Sequence, residues 1–158
     1  MRICFTLNGQ EKTLDIRPDR RAIDLLRYDL GCTGTKESCG SGECGSCSIL
    51  VDGEQRLSCL MLAGQLHGRR VVTIEGLEQE KTLHPLQKAF EDKGAVQCGF
   101  CTPGMILAAH AFLEKNPSPN KQEIKRAISG NICRCTGYTK IVDAIFSTSS
   151  PSDGENEP

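Results

Sequence analysis

Ten cysteines stand in this chain of 158 residues, and eight of them fall into two groups of four. Cys39, Cys44 and Cys47 share one short loop, and Cys59 follows it. Cys98 and Cys101 form a C-x-x-C pair, and Cys133 and Cys135 a C-x-C pair. Thiolate sulfur selects zinc and iron–sulfur centres over hard cations. The spacing C-x4-C-x2-C with a fourth, more distant cysteine is the plant-type pattern for a [2Fe–2S] cluster, whose chemistry is electron transfer.

The loop between Cys39 and Cys47 also carries Gly40, Gly42 and Gly45. A chain that wraps a cluster needs positive φ at several positions and a close backbone approach. It then aims amide N–H groups at the sulfurs. Gly40-x-Gly42-x-x-Gly45 also matches a dinucleotide fingerprint formally. That motif must follow a strand and open a helix, whereas here three cysteines interleave with it and a strand-like run follows. Zinc is the stronger rival, because four thiolates suit it equally. The second tetrad is less specific by spacing alone, and its C-x-C pair is unusual for zinc. Both of its pairs are expected at helix ends, where free N–H groups favour an anion.

The elements that must position these thiols can be read from periodicity. Ile3, Phe5 and Leu7 alternate, Asn8-Gly9 signals a hairpin, and Leu14 and Ile16 resume the alternation. Asp19 is placed to cap a helix carrying Ala22, Ile23, Leu25, Leu26 and Leu30, with Gly31 as its stop. Strands are expected at Ser48 to Val51, Arg56 to Leu60 and Val71 to Ile74, with a turn at Asp52-Gly53. Beyond Gly76 to Glu80 the period becomes helical. Thr82 precedes Leu83, Leu86 and Phe90. Thr102 is placed to cap a helix with Pro103 first and Met105, Ile106, Ala109, Phe112 and Leu113 on one face. Asn120 and Glu123 have reciprocal capping spacing before Ile124, Ala127 and Ile128, with Gly130 closing. Ile141, Val142, Ile145 and Phe146 mark the last helix. This predicts an α+β protein. A β-grasp, ferredoxin-like unit occupies residues 1–78, a four-helix unit 79–147, and a polar, disordered tail 148–158.

Composition narrows the function classes. Nineteen basic and 20 acidic residues give a formal net charge of −1, so no basic excess points to nucleic acid or anionic lipid. No apolar run reaches the roughly 18–20 residues of a membrane span. Met1 to Leu7 is followed at once by Asn8-Gly9, too short for a signal h-region. The expected location is the cytoplasm, where ten reduced cysteines favour metal ligation over disulfides. Export by docking to a leader-bearing partner is compatible with this. With no tryptophan and 4% aromatics, the core must be aliphatic, and two metal centres would act as staples.

Four segments together are similar to the small iron–sulfur subunit of the molybdenum hydroxylases, the xanthine dehydrogenase and aldehyde oxidase family. They are Gly34-Thr35-Lys36, Gly42-Glu43-Cys44-Gly45-Ser46-Cys47, Gln97-Cys98-Gly99-Phe100-Cys101-Thr102-Pro103-Gly104, and Gly130-Asn131-Ile132-Cys133-Arg134-Cys135-Thr136-Gly137-Tyr138. The resemblance runs from about Ile3 to Ile145. Ser38 stands where relatives usually have glycine, and Ser48 replaces a usual threonine; neither substitution removes a ligand.

The resemblance implies a β-grasp plus four-helix-bundle fold with two [2Fe–2S] clusters. Their ligands would be Cys39, Cys44, Cys47 and Cys59, then Cys98, Cys101, Cys133 and Cys135. It implies a molybdopterin-binding large subunit that does the chemistry and an FAD-binding medium subunit that receives electrons. The helical-domain centre would lie next to the pterin and the plant-type centre toward the flavin. Gln97 matches the family glutamine that bonds the pterin, and Cys135 the ligand nearest the pterin amine. The chain would then be an electron-transfer subunit without catalytic residues of its own, serving hydroxylation of an N-heterocycle (purine- or nicotinate-like) or an aldehyde. Carbon monoxide dehydrogenase or a 4-hydroxybenzoyl-CoA-like reductase is the alternative within the family. A zinc-stabilised binding module is the alternative of another class.

The remaining candidates have plainer readings. Cys32 reads as a small buried hydrophobe, and Cys4 faces solvent or a partner. His67, His84 and His110 are scattered and read as surface or partly buried side chains. Lys36 and Arg134 flank the thiols as counter-charges or solvated groups, and Glu43 reads as a solvated or partner-facing carboxylate.

Overall fold

The computed structural model describes residues 1–78 and 82–149. Strand β1 (Arg2–Leu7) turns through Asn8 and Gly9, both at positive φ, into β2 (Gln10–Asp15). The hairpin signal is therefore met with the left-handed turn it requires. Strands β3 (Ser48–Val51) and β4 (Glu54–Leu57) form a second hairpin around Asp52-Gly53. Strand β5 (Arg70–Val72) completes a mixed sheet of order β2-β1-β5-β3-β4. Only β1 and β5 are parallel; the other pairs are antiparallel. The third expected strand is shorter than its apolar run, because Ile74 opens a 3₁₀ turn to Gly76.

The first helix departs from expectation. Arg21, not Asp19, occupies its N-cap, and Asp19 pairs with Arg17 instead. Helix α1 (Ala22–Asp24) passes at once into a π turn, Leu25–Asp29, closed by the Leu30 N–H on the Leu25 carbonyl at 3.0 Å. The wider turn keeps Leu25 and Leu26 buried while Leu30 is only half-buried. Gly31, at φ 72°, ends it as expected.

The second half holds α2 (Pro85–Asp92), α3 (Thr102–Lys115), α4 (Lys121–Ala127) and α5 (Thr139–Thr148). His84 caps α2: its Nδ1 accepts the Leu86 N–H at 3.2 Å, and the Gln87 side chain accepts the His84 N–H. Cys101 replaces Thr102 as the N-cap of α3. The capping box at Asn120 and Glu123 forms as read. Helix α3 is not one-faced. Gly104 through Ala109 are all buried, because α3 lies between the sheet and the other helices. Helix α5 extends to Thr148 with Ser149 as its C-cap, so the first residue of the expected tail is helical; residues 150–158 lie outside the described residues. The expected boundary at 78/79 meets residues 79–81, also outside them.

Two apolar cores share the sheet. Ile3, Phe5, Leu7, Ile49, Val51 and Val71 pack under Ala22, Leu25 and Leu26. Leu50, from the same strand as Ile49 and Val51, belongs to the other core, with Phe90, Met105, Leu107, Ile124, Ile141 and Ile145. Strand β3 is consequently buried at all four residues. Among the described residues no helix is long and apolar enough to cross a membrane.

Candidate metal centres

The first tetrad is built by one loop and one strand end. Arg27, on the π turn, holds the loop entrance by donating to the Thr33 and Thr35 carbonyls. The Lys36 N–H reaches the Ser46 carbonyl at 3.3 Å, closing the loop neck. Between them Gly40, Gly42 and Gly45 all adopt positive φ, at 64°, 83° and 72°. This left-handed backbone turns N–H groups inward: those of Ser41 and Glu43 lie 3.5 and 3.4 Å from Cys39 Sγ. Backbone donors at Ser41, Cys44 and Glu43 pull the Cys39 thiol down to about 6.

Cys47 and Cys59 sit at the protected end of the site, their sulfurs 3.3 Å apart. That gap is well beyond the ~2.05 Å of a disulfide, and all ten cysteines are free. Burial pushes the Cys47 thiol up to about 12. A neutral thiol is thus favoured at one end and a thiolate at the other. Only a bound cation makes four thiolates tolerable together.

The second tetrad assembles at two helix starts. Cys98 and Cys101 lead into α3, and Cys133 and Cys135 lead through Tyr138 into α5. Cys98 neighbours Cys135, and Cys101 neighbours Cys133. The Phe100 N–H, then Cys135, holds the Cys98 thiol below its usual range. Burial, then Cys133, raises Cys101 to about 12. Burial opposes ionisation of Cys133, but the Thr136 hydroxyl and N–H outweigh it and lower that thiol. Its contact with Cys98 raises Cys135. At the first site Cys47 and Cys59 are buried and Cys39 is exposed; at the second Cys133 is buried, Cys101 half-buried, and Cys98 and Cys135 are both exposed.

The structure therefore brings each sequence-predicted tetrad together. Cys47 and Cys59 meet sulfur to sulfur, Cys98 neighbours Cys135, Cys101 neighbours Cys133, and Cys39 neighbours the Cys44 backbone. Among the described residues no three cysteine, histidine or acidic side chains form a single-ion site. Thiols paired two by two suit a binuclear core, with two ligands per metal, better than a lone tetrahedral ion.

Comparison with known proteins agrees with this chemistry. The family described as 2Fe-2S iron-sulfur cluster binding domain matches residues 27–91, and the [2Fe-2S] binding domain family matches residues 73–146. The nicotinate dehydrogenase small FeS subunit of Eubacterium barkeri is 48% identical over 143 residues, covering 90% of this chain and 91% of that protein. The chain belongs to the small iron–sulfur subunits of the molybdenum hydroxylase family. It is an electron-transfer subunit of an oxidoreductase, and its cofactors are two [2Fe–2S] clusters. The crystal structure of quinoline 2-oxidoreductase from Pseudomonas putida 86 superposes with a TM-score of 0.90 at 47% identity, over 92% of this chain and 90% of that one. Aldehyde oxidoreductase from Desulfovibrio gigas also gives 0.90, at 38% identity, but there the match is only 17% of the longer chain. The zinc-module reading finds no support in these matches.

Several residues of this iron–sulfur subunit that matter at the sites carry no cysteine-like signal. Asn131 is 2% exposed and bridges the halves. Its Nδ2 donates to the Gly45 carbonyl at 3.1 Å, and its Oδ1 accepts from Gln55 Nε2 at 3.2 Å. The next residue, Ile132, donates its N–H to the Cys44 carbonyl at 2.9 Å. A side chain at Gly45 would collide with the Gly130 carbonyl, and one at Gly104 with the Gly45 carbonyl. The loops of the two tetrads are thus in direct contact. Thr136 bonds Cys133, and Tyr138 Oη accepts the Cys133 N–H at 2.8 Å. The sequence marked Asn131, Thr136 and Tyr138 only as members of the motif around the C-x-C pair, with no role of their own.

Gln97 is exposed beside exposed Cys98, with Cys135 exposed as well. Glu43 is exposed as expected. Cys32 is buried and Cys4 exposed. The His67 Nδ1 accepts the Cys4 N–H, while His84 and His110 meet edge to face at 5.0 Å, a contact their sequence spacing did not announce.

Proposed function

We propose that this subunit connects a molybdopterin-binding large subunit to an FAD-binding medium subunit, in a cytoplasmic complex that hydroxylates an N-heteroaromatic substrate. Cys39, Cys44, Cys47 and Cys59 would hold the plant-type cluster, and Cys98, Cys101, Cys133 and Cys135 the other. When bound, such clusters supply one-electron transfer at potentials set by their surroundings. The observation that carries the reading is the contact between the two tetrads. The Ile132 N–H, one residue before Cys133, bonds the carbonyl of Cys44. That holds the two sites at a fixed, short separation, as stepwise transfer between two partners requires.

The exposed edges suggest which partner each site meets. Gln97, Cys98 and Cys135 form one edge, with Val96, Phe100 and Ile132 as exposed apolar neighbours. Family resemblance assigns this edge to the molybdopterin subunit, with Gln97 bonding the pterin and Cys135 the nearest ligand. The Cys39 edge, with Ser41 and Glu43, would face the flavin subunit. Residues 1–78 and 79–147 would be the two cluster-binding units. Two relatives whose names contain nicotinate and quinoline, both N-heteroaromatic, favour that substrate class over an aldehyde.

The native complex tests this. It should contain four iron atoms and four labile sulfides per copy of this chain, together with molybdenum and FAD. N-heteroaromatic acids or bases should bleach its visible absorbance without added reductant. Zinc in place of iron would reject the metal assignment. Bleaching by aldehydes alone would reject the substrate class.

A further inference from the structure

Thr136 lies three residues after Cys133, in the turn that leads into α5. Its hydroxyl donates to Cys133 Sγ at 3.0 Å, and its backbone N–H reaches the same sulfur at 3.3 Å. Cys133 is 8% exposed, so water competes poorly for that sulfur. The Ser41 hydroxyl also acts on Cys39, but Cys39 is exposed and water can replace it. The turn is fixed from both sides. Tyr138, held at φ 66°, takes the Cys133 N–H on its phenol oxygen. Threonine is also stiff at χ1, so the hydroxyl is held in place rather than sampled.

We propose that the Thr136 hydroxyl sets the reduction potential of the helical-domain site by its bond to Cys133 Sγ. The proposal rests on the assignment of the second tetrad as cluster ligands. One-electron reduction of a thiolate-bound centre adds negative charge that spreads onto its sulfurs. A donor dipole aimed at one of those sulfurs stabilises the reduced form more than the oxidised form, and so raises the potential. Weak dielectric screening around a buried sulfur strengthens the effect. Loop closure alone does not need the hydroxyl, because the backbone N–H of residue 136 makes the same connection. Thr136→Val removes the hydroxyl while keeping the shape and the N–H. Thr136→Ser restores it.

The test is a redox titration of the native complex followed by electron paramagnetic resonance, with iron counted in every sample. In Thr136→Val the helical-domain signal should become harder to reduce by about tenfold, or ~59 mV for a one-electron couple. The plant-type signal should keep its midpoint. Thr136→Ser should titrate with the wild-type protein. An unchanged midpoint in Thr136→Val at full iron content would overturn the proposal, as would an equal shift of both signals. If Thr136→Val loses the second site, Thr136→Ala decides in its place, since it also removes the hydroxyl and keeps the N–H. A lowered helical-domain midpoint there supports the hydroxyl's role, and a native one refutes it. Failure of the wild-type complex to show a second [2Fe–2S] signal would overturn the cluster assignment itself, a separate outcome.

Discussion

Gly45 meets two demands that no other residue type satisfies together. Its φ of 72° costs an L-residue about 1–2 kcal/mol, and its Cβ position is taken by the Gly130 carbonyl and the Asn131 amide. Both obstacles come from the far half of the chain, so relief requires the two loops to part. Gly45→Ala should therefore destabilise the protein by more than the backbone penalty alone. It should also lower the iron content of both sites, although residue 45 is no ligand. Thermal unfolding and iron analysis of the variant check this. Full iron with an unchanged melting temperature would mean that the loops tolerate separation.

At the scale of elements, the start of α2 depends on a neutral imidazole. His84 Nδ1 accepts the Leu86 N–H, which protonation forbids. Burial, then the neighbouring His110, lowers the His84 pKa from its ordinary 6.5, while Glu114 works in the opposite direction. A lowered histidine pKa means that folding favours the neutral ring. The stabilisation is complete above 6.5 and fades as the pH falls below it. The protection of α2 amides relative to their intrinsic exchange rates should fall on acidification through that range. His84→Ala should lose about 1 kcal/mol of capping energy at neutral pH. It should also remove this part of the acid sensitivity. Protection of α2 in His84→Ala with the same pH response as wild type would refute the role.

Elements were legible where the signal is local. Asn8-Gly9, Gly31 and the Asn120–Glu123 box each act through their own or adjacent backbone, and each was found where the sequence placed it. The π turn at Leu25–Asp29 was not legible. Its i+5 bond leaves the same apolar residues that an α-helix would use, and tertiary packing selects between them. Helix α3 read as one-faced, with Met105, Ile106 and Ala109 on the stripe, yet Leu107 and Ala108 outside it are buried too, because α3 packs against both the sheet and the other helices. The first candidate tetrad was legible from its spacing, and the second from its C-x-x-C and C-x-C pairs together with the family resemblance. Asn131 was not, because its partners Gly45 and Gln55 lie 86 and 76 residues away.

Across the whole molecule, Asn131 and the Ile132 N–H join two cores that meet at the sheet. Asn131→Ala takes one bond from the Gly45 carbonyl and one from the Gln55 amide, both of which keep Ser48, at a cost of about 1 kcal/mol each. Because the bonds cross between halves, calorimetry should show the unfolding endotherm broaden or split. A single endotherm shifted as a unit would show that the apolar cores alone couple the halves. Cys44→Ala addresses the proposed order of centres. If that variant assembles, substrate should still reduce the molybdenum subunit and the helical site, while the flavin stays oxidised. Stopped-flow spectra with wild-type flavin reduction would reverse the order.

The double burial of β3 has a consequence for how this chain can be cut, fused or inherited. Ile49 and Val51 serve one core while Leu50 serves the other. A ferredoxin-like fragment released from the helices would carry Leu50, Val72 and Ile74 bare to water, an adhesive stripe on an otherwise finished sheet. Released helices would in turn have no floor beneath α3. Neither piece is a portable module, so gene rearrangement can move the pair into longer polypeptides, as in the aldehyde oxidoreductase chain that contains both, but gains nothing by separating them.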